Sequence, residues 1–407
     1  MVSNSRFTME IPRLTCSLFG AIKAAATLRD TVILVHGPKG CVYHVNYILG
    51  LRGDCHCPVY CTCMDEHDVV FGAEDRLKEA IEDLDSQKSP DMIVVLSCCA
   101  SGIIGEDVQN ACRVARTGAK VICIDAGGFS SDYTAGYAKT LEAIISGVAD
   151  PAVPTETGTV NILGMLRAGP DLLEIRRLLS MLGLSVRVVM PAGATYEQIR
   201  RIGAASLNIV ICETAGMQAA LLLAQMFGTP FIRTVYPVGA GLSREFLEDV
   251  ASALGVSTSP DIDEPAGRDP QIHHRARIAL FSGPTRATAL ARFLSSHGIS
   301  PAVIVLDFGE PFAHEVKEAA GNGCAVFISP RWDEIEDALK SHQIDLVLGG
   351  LMERPIAAKL GIPLIDVMHG SMLTAGPEGG ASMLRHIMKY SQPRISSASS
   401  DPSHDGE

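Results

Sequence analysis

Met92-Ile93-Val94-Val95-Leu96 is an unbroken apolar run, and Ser97-Cys98-Cys99-Ala100-Ser101-Gly102-Ile103-Ile104-Gly105-Glu106-Asp107 follows it directly. A strand with no apolar–polar alternation is one covered on both faces, as in a parallel sheet packed between helices. The next segments keep the same rhythm. Glu106 to Arg116 reads as a helix, Val121 to Ile124 as a strand and Tyr137 to Val148 as a helix. Repeated strand–helix alternation specifies an α/β, doubly wound parallel sheet. Upstream, Thr31-Val32-Ile33-Leu34-Val35 supplies another strand of this kind. Downstream, Val160 to Leu163, Ser185 to Met190, Leu207 to Cys212 and Phe231 to Val235 form a second unit, and Arg277-Ile278-Ala279-Leu280-Phe281 begins a third.

The boundaries come from breaker residues. Asp150-Pro151-Ala152-Val153-Pro154-Thr155 separates the first unit from the second, and the polar Ser257 to His274, with Pro260, Pro265 and Pro270, separates the second from the third. The expected organisation is therefore three Rossmann-like domains at 1–150, 156–256 and 275–370, a C-terminal helix at 371–391 and a disordered tail at 392–407. Helix–glycine–strand joints recur at Gly118-Ala119-Lys120-Val121, Gly228-Thr229-Pro230-Phe231 and Gly361-Ile362-Pro363-Leu364, where glycine suits a left-handed helix end.

With 407 residues the chain has room for two or three ordinary domains. Its net charge of −12 argues against nucleic acid or an anionic membrane as the main partner. No apolar run approaches membrane-spanning length. The start, Met1-Val2-Ser3-Asn4-Ser5-Arg6, lacks the basic and apolar pattern of a secretory signal. Twelve cysteines without such a signal point to a reducing cytoplasm and to metal or catalytic use.

Three of those cysteines stand out. Cys41 closes the loop His36-Gly37-Pro38-Lys39-Gly40-Cys41 after the first strand, Cys99 follows the Met92 strand, and Cys16 precedes a helical stretch. None belongs to a zinc-type C-x-x-C pair. Ligands bind beyond the carboxyl ends of strands in open α/β sheets. Iron–sulfur clusters are held mainly by thiolates, so redox chemistry leads. Each cysteine taken alone is equally compatible with a small buried hydrophobe. The segment Cys55-His56-Cys57-Pro58-Val59-Tyr60-Cys61-Thr62-Cys63 carries four more thiols, which read either as a zinc or second-cluster site or as a thiol-rich loop. No G-x-x-x-x-G-K-[ST] phosphate loop is present. Ser282-Gly283-Pro284-Thr285-Arg286 follows a strand but lacks the lysine, and reads as a helix cap. Nucleotide energy, if the reaction uses it, comes from a partner.

Four motifs in order then carry a resemblance. Cys16-Ser17-Leu18-Phe19-Gly20-Ala21, His36 to Cys41, Asp65-Glu66-His67-Asp68-Val69-Val70-Phe71-Gly72-Ala73-Glu74 and Cys99 to Asp107 resemble component 1 of nitrogenase and nitrogenase-like enzymes. The resemblance continues through Leu207-Asn208-Ile209-Val210 and Gly361-Ile362-Pro363, to about residue 390. It implies a [4Fe-4S] cluster at a subunit interface, with Cys16, Cys41 and Cys99 as ligands. Three thiolates leave one iron to a residue of the partner chain, to water, or to Cys98. Cys98 sits one residue off the motif, at a variable position, where a second strand-end thiol is a more common reading than a ligand.

The resemblance also implies a separate dimeric iron–sulfur ATPase reductase that hydrolyses ATP and delivers electrons. Cys212 and His369 match the positions of the cofactor cysteine and histidine of molybdenum nitrogenase. The chain is shorter and lacks the aromatic-rich sequence around that histidine, which favours a different substrate in the equivalent cavity. His369 and Glu213 are the candidate proton donors there. A compact chain with all three cluster cysteines is most similar to the branch that reductively cyclises the nickel tetrapyrrole Ni-sirohydrochlorin a,c-diamide in coenzyme F430 biosynthesis for methanogenesis, as a homodimer. The second reading is a scaffold on which a nitrogenase cofactor precursor matures.

Overall fold

The computed structural model describes residues 16–52, 57–129, 131–256, 262–263, 276–309, 312–369 and 372–390. Three parallel sheets carry the architecture. The first holds β1 (Thr31–His36), β2 (Val59–Cys61), β3 (Met92–Ser97) and β4 (Lys120–Asp125) in the order β2-β1-β3-β4. The second holds β5 (Glu156–Met165), β6 (Ser185–Pro191), β7 (Ala205–Val210) and β8 (Phe231–Arg233) in the order β6-β5-β7-β8. The third holds β9 (Ile278–Ser282), β10 (Val303–Leu306), β11 (Ala325–Ile328), β12 (Leu346–Gly349) and β13 (Leu364–Asp366) in the order β11-β10-β9-β12-β13. The α/β class read from the apolar runs is what folds. β1 and β3 are buried along their whole length, which explains their lack of alternation.

Each order contains a switch point, where neighbouring strands send their connections to opposite faces and open a crevice at the carboxyl edge. These lie between β1 and β3, between β5 and β7, and between β9 and β12. In the first sheet His36 pairs with Ser97, so β1 and β3 end level and the segments beginning at Gly37 and Cys98 emerge side by side. The second sheet is the middle layer. Leu163, Val188 and Val210 pack into the core of the first sheet, while Val160, Ile162 and Ile209 share one with the third.

Several local expectations are corrected. Helices run Cys99–Ile104 and Val108–Val114, so the helix read at Glu106 to Arg116 is present with shorter bounds and a separate short helix precedes it. Gly105, at φ 74°, ends the first, and the Asp107 carboxylate opens the second by accepting the Asn110 N–H at 3.0 Å. Cys41 lies not in a loop but in the first turn of the helix Lys39–Arg52. The helix expected from Tyr137 starts at Tyr133, because Asp132 caps it through the Ala135 N–H. Gly228 and Gly361 are left-handed as expected. Gly118 is not among the left-handed glycines; Asp85 takes its N–H and that of Ala119. The C-terminal helix spans Gly376–Lys389 and not 371–391. The expected tail at 392–407 and most of the 257–274 linker lie outside the described residues.

One helix contact positions the first candidate ligand. Cys16 is the N-cap of the helix Ser17–Ala25, which packs on Tyr133–Val148 through two glycines. A Cβ on Gly20 would stand 2.0 Å from the Tyr133 carbonyl oxygen, and one on Gly136 2.1 Å from that of Ser17. Only glycine allows backbones this close. Gly136→Ala is therefore expected to destabilise the fold by about 3 kcal/mol through overpacking. Urea unfolding of the two proteins measures it, and a difference under about 1 kcal/mol would show that the two helices part easily.

Candidate functional site

The crevice at the β1/β3 switch point gathers thiols from three chain segments. Cys99 opens the helix after β3, and its sulfur accepts the Gly128 N–H at 3.0 Å. Gly128, just beyond β4, also lies against Cys16: a Cβ there would be 3.0 Å from Cys16 Cβ and 3.5 Å from Cys99 Sγ. Cys41 faces the same space, half-buried. Burial pushes its thiol upward, and the neighbouring Cys98, Cys16 and Cys99 thiols push it further. The structure thus brings Cys16, Cys41 and Cys99 together, with Cys98 among them.

Among the described residues no three His, Cys, Asp or Glu side chains stand close enough to share a single ion. A polynuclear cluster needs a wider ring, with each thiolate on its own iron. The donor set fits such a group: several thiols, an N–H···S bond, and glycines at 37 and 128 whose missing side chains make room for the neighbouring cysteines. Hydrogen bonds to sulfur and burial are what tune a cluster's potential.

Beneath the thiols lies a polar support that sequence reasoning missed. His36 is fully buried, with Nδ1 3.1 Å from Thr62 Oγ1 and Nε2 2.7 Å from Glu106 Oε2. Thr62 Oγ1 accepts the Gly37 N–H at 3.1 Å, and Glu106 also accepts the Ala73 N–H. This network ties the segment entering Cys41 to the one leaving Cys99. The only signal in the sequence was that His36 and Glu106 both fall inside the quoted motifs.

Within the cysteine-rich segment, Cys57 and Cys61 do not converge. Cys57 Sγ donates to the Thr31 carbonyl at the start of β1, at 2.8 Å, whereas Cys61 Sγ donates to the Gly37 carbonyl at its far end, at 3.1 Å. β2 runs parallel to β1 and holds them apart, so Cys57 and Cys61 do not share one ion. Burial pushes the Cys61 thiol up to about 12. Cys63 is exposed, and Cys55 and His56 lie outside the described residues.

The carboxyl edges of the second and third sheets meet, and the residues along this junction frame a second candidate cleft. Cys212 is the N-cap of Glu213–Phe227, and burial above all raises its thiol. The Glu213 N–H donates to Thr285 Oγ1 at 3.3 Å, across to the third sheet. Its carboxylate pairs with Arg233 at 2.9 Å, and Arg233 also binds Glu315. Burial raises Glu213, and the Arg233 charge partly offsets it. Arg167 follows β5 and donates to the Met368 carbonyl at 2.9 Å, next to His369. Tyr137, on the helix between the thiols and this cleft, has a buried hydroxyl with no hydrogen-bond partner among the described residues. No pattern in the sequence marked it.

His369 is held at the end of β13. Its Nδ1 lies 3.0 Å from both Asp366 carboxylate oxygens and 3.3 Å from the Leu351 N–H. The Asp366 contacts are shorter and place the proton on Nδ1, directed at the carboxylate. Burial opposes the charge on Asp366 most, yet hydrogen bonds from His369 and from the Met368 and His369 N–H groups outweigh it and hold the carboxyl at about 2.

A folded value of about 2 against an ordinary 3.8 makes the Asp366 contribution fully present above the higher value and lost as pH falls toward the lower. It is worth about 2 kcal/mol. Asp366→Asn should flatten the loss of stability between about pH 4 and about pH 2. Urea midpoints across that window test this, and parallel curves for both proteins would refute it.

The two sheets are locked together beside this cleft. Asp171, on the helix Pro170–Met181, accepts hydrogen bonds from Tyr236 Oη (2.6 Å), Arg286 Nη2 (3.1 Å), Thr374 N–H (2.6 Å), Thr374 Oγ1 (2.6 Å) and Ala375 N–H (2.9 Å). Arg286 stacks on Tyr236, 4.5 Å from the ring centre.

Known proteins resemble the chain over almost its whole length. A light-independent protochlorophyllide reductase component of Acidiphilium rubrum is 31% identical, covering 84% of this chain and 71% of its own. Its counterpart in Methylobacterium radiotolerans is 29% identical, covering 84% and 68%. The nitrogenase iron-molybdenum cofactor biosynthesis protein NifE of Clostridium pasteurianum is 26% identical, covering 88% and 83%. The solved structure of nitrogenase Cp1 at pH 6.5 superposes with a TM-score of 0.79 at 20% identity, covering 94% of this chain and 93% of that one, which shows a common fold. The family signature "Nitrogenase component 1 type Oxidoreductase" spans residues 16–391, and with the thiol-lined switch point it places this chain in the nitrogenase component 1 type oxidoreductases.

Proposed function

We propose that the chain is the catalytic component of a nitrogenase-like, ATP-dependent reductase. In this reading Cys16, Cys41 and Cys99 hold a [4Fe-4S] cluster, which supplies low-potential electrons. The substrate occupies the cleft between the second and third sheets. The convergence of three thiols from separate segments on the β1/β3 switch point carries the proposal. ATP is hydrolysed by a separate dimeric iron–sulfur reductase and not by this chain, consistent with the absence of a phosphate-loop sequence.

Tyr43, Phe71, Ile103 and Phe129 stand exposed on the segments that carry or adjoin the thiols. Apolar surface of this kind suits a second copy of the chain, so the working form is a homodimer. Among the described residues no helix is long and apolar enough to cross a membrane, which accords with a cytoplasmic enzyme.

The substrate we assign is a nickel tetrapyrrole, Ni-sirohydrochlorin a,c-diamide, reductively cyclised in coenzyme F430 biosynthesis. The relatives named for protochlorophyllide reduction support a tetrapyrrole. His369, its Nδ1 oriented by Asp366, and Glu213, raised by burial, are the proton donors in the cleft. Anaerobic protein mixed with the nickel tetrapyrrole, ATP and the reductase should change the tetrapyrrole spectrum. Silence under verified electron delivery would favour the second reading, a scaffold for maturing a nitrogenase cofactor, which the similarity to NifE and the half-buried Cys212 support.

A further inference from the structure

We propose that Cys98 is the fourth thiolate of the cluster, so that one chain supplies Cys16, Cys41, Cys98 and Cys99. This rests on the reading of the switch-point thiols as an iron–sulfur site. It departs from a set of three cysteines completed by the partner or by water.

Cys98 is only 1% exposed and follows β3 directly at the switch point. The opposing wall is Gly37, where a Cβ would come within 2.3 Å of the Cys98 sulfur. Glycine at 37 therefore keeps room for this thiol.

The destination of each thiol proton separates Cys98 from its neighbours. Cys57 and Cys61 are structural thiols that donate to the carbonyls of Thr31 and Gly37. The Cys98 S–H has no acceptor among the described residues. Its sulfur instead accepts the Ala100 N–H at 3.3 Å, as Cys99 accepts that of Gly128 at 3.0 Å. The Ala100 contact is the N-cap hydrogen bond, and Cys61 likewise accepts the Cys63 N–H at 3.3 Å. What sets Cys98 apart is a buried S–H with no acceptor among the described residues, which leaves its sulfur free to serve as a metal thiolate.

The local fold does not call for sulfur. Cys98 occupies an N-cap position in a capping box with Ser101, where Ser, Thr, Asp or Asn caps best. A residue chosen for capping alone would present an oxygen acceptor. With four thiolates from one chain, each iron has a protein ligand and each protomer of a homodimer holds its own cluster.

The test uses the full chain, purified anaerobically, as wild type, Cys98→Ala, Cys98→Ser and the neighbour control Cys61→Ala. Circular dichroism first shows that each is folded; Cys98→Ser keeps a capping side chain in case Cys98→Ala does not fold. Each is then oxidised mildly with ferricyanide and followed by iron analysis and EPR. Wild type and Cys61→Ala should keep a four-iron cluster, whereas a Cys98 variant should lose about one iron in four and show the three-iron signal. Complete loss of iron from a folded Cys98 variant, with Cys61→Ala unaffected, would also support the assignment. Equal lability of wild type and both Cys98 variants would overturn it. Wild-type protein that binds no iron at all would instead sink the underlying cluster reading.

Discussion

Cys41→Ser is expected to remove the iron–sulfur absorption and EPR signal of anaerobically purified protein and to lower reductase turnover more than about a hundredfold. Loss of a group that merely orients a ligand costs 10–100-fold in metal affinity or activity, and loss of the ligand itself costs more. The fold should survive. Cys41 lies in the first turn of its helix, half-buried against the first core, and serine keeps nearly the same volume there. We expect a stability change within about 1 kcal/mol. Iron and sulfide analysis with EPR on both proteins decides the matter. A Cys41→Ser protein with wild-type colour and signal would remove Cys41 from the ligand set.

Asp171→Ala should cost about 3–5 kcal/mol of stability, the largest loss we expect from one substitution. The carboxylate is buried and faces the Arg286 charge, and it accepts two hydroxyls and two backbone N–H groups. Removing it leaves a cation and several donors without partners, and such groups cost more than the bonds themselves are worth. Burial opposes the charge of Asp171, but Arg286 and the Thr374 and Tyr236 hydrogen bonds win and keep its carboxyl below the ordinary range. Asp171→Asn keeps two acceptor sites and should fall between wild type and Asp171→Ala. Urea unfolding gives the order. A loss below about 1 kcal/mol for Asp171→Ala would mean that the junction between the second and third sheets is held elsewhere.

Asp171 also shows what local reasoning leaves out. Its partners lie as far as Thr374 in the chain, and no spacing rule links positions so distant. The pair Cys57 and Cys61 makes the same point in reverse. Four thiols in nine residues read either as a metal site or as a thiol-rich loop, and a strand that advances about 3.3 Å per residue carries Cys57 and Cys61 to opposite ends of β1. Glu106 is another case. It was read as the first residue of a helix, but it lies between Gly105, which ends one helix, and Val108, which begins the next, and its carboxylate reaches His36.

The amino-acid sequence alone determined the α/β class and most strand positions, because unbroken apolar runs between amphipathic segments bury both faces only in a parallel sheet. It also determined where chemistry would sit, because glycines and thiols just past strand ends fall on the edge where such sheets bind ligands. Tertiary structure decided which of those thiols meet. Strand order puts β1 beside β3 in level register, and close glycine packing brings Cys16 to the same crevice. It also decided that the Cys98 proton has no acceptor among the described residues while those of Cys57 and Cys61 do. Strand order and the direction of a side chain depend on contacts between residues far apart in the chain, and these exist only once the sheets have formed.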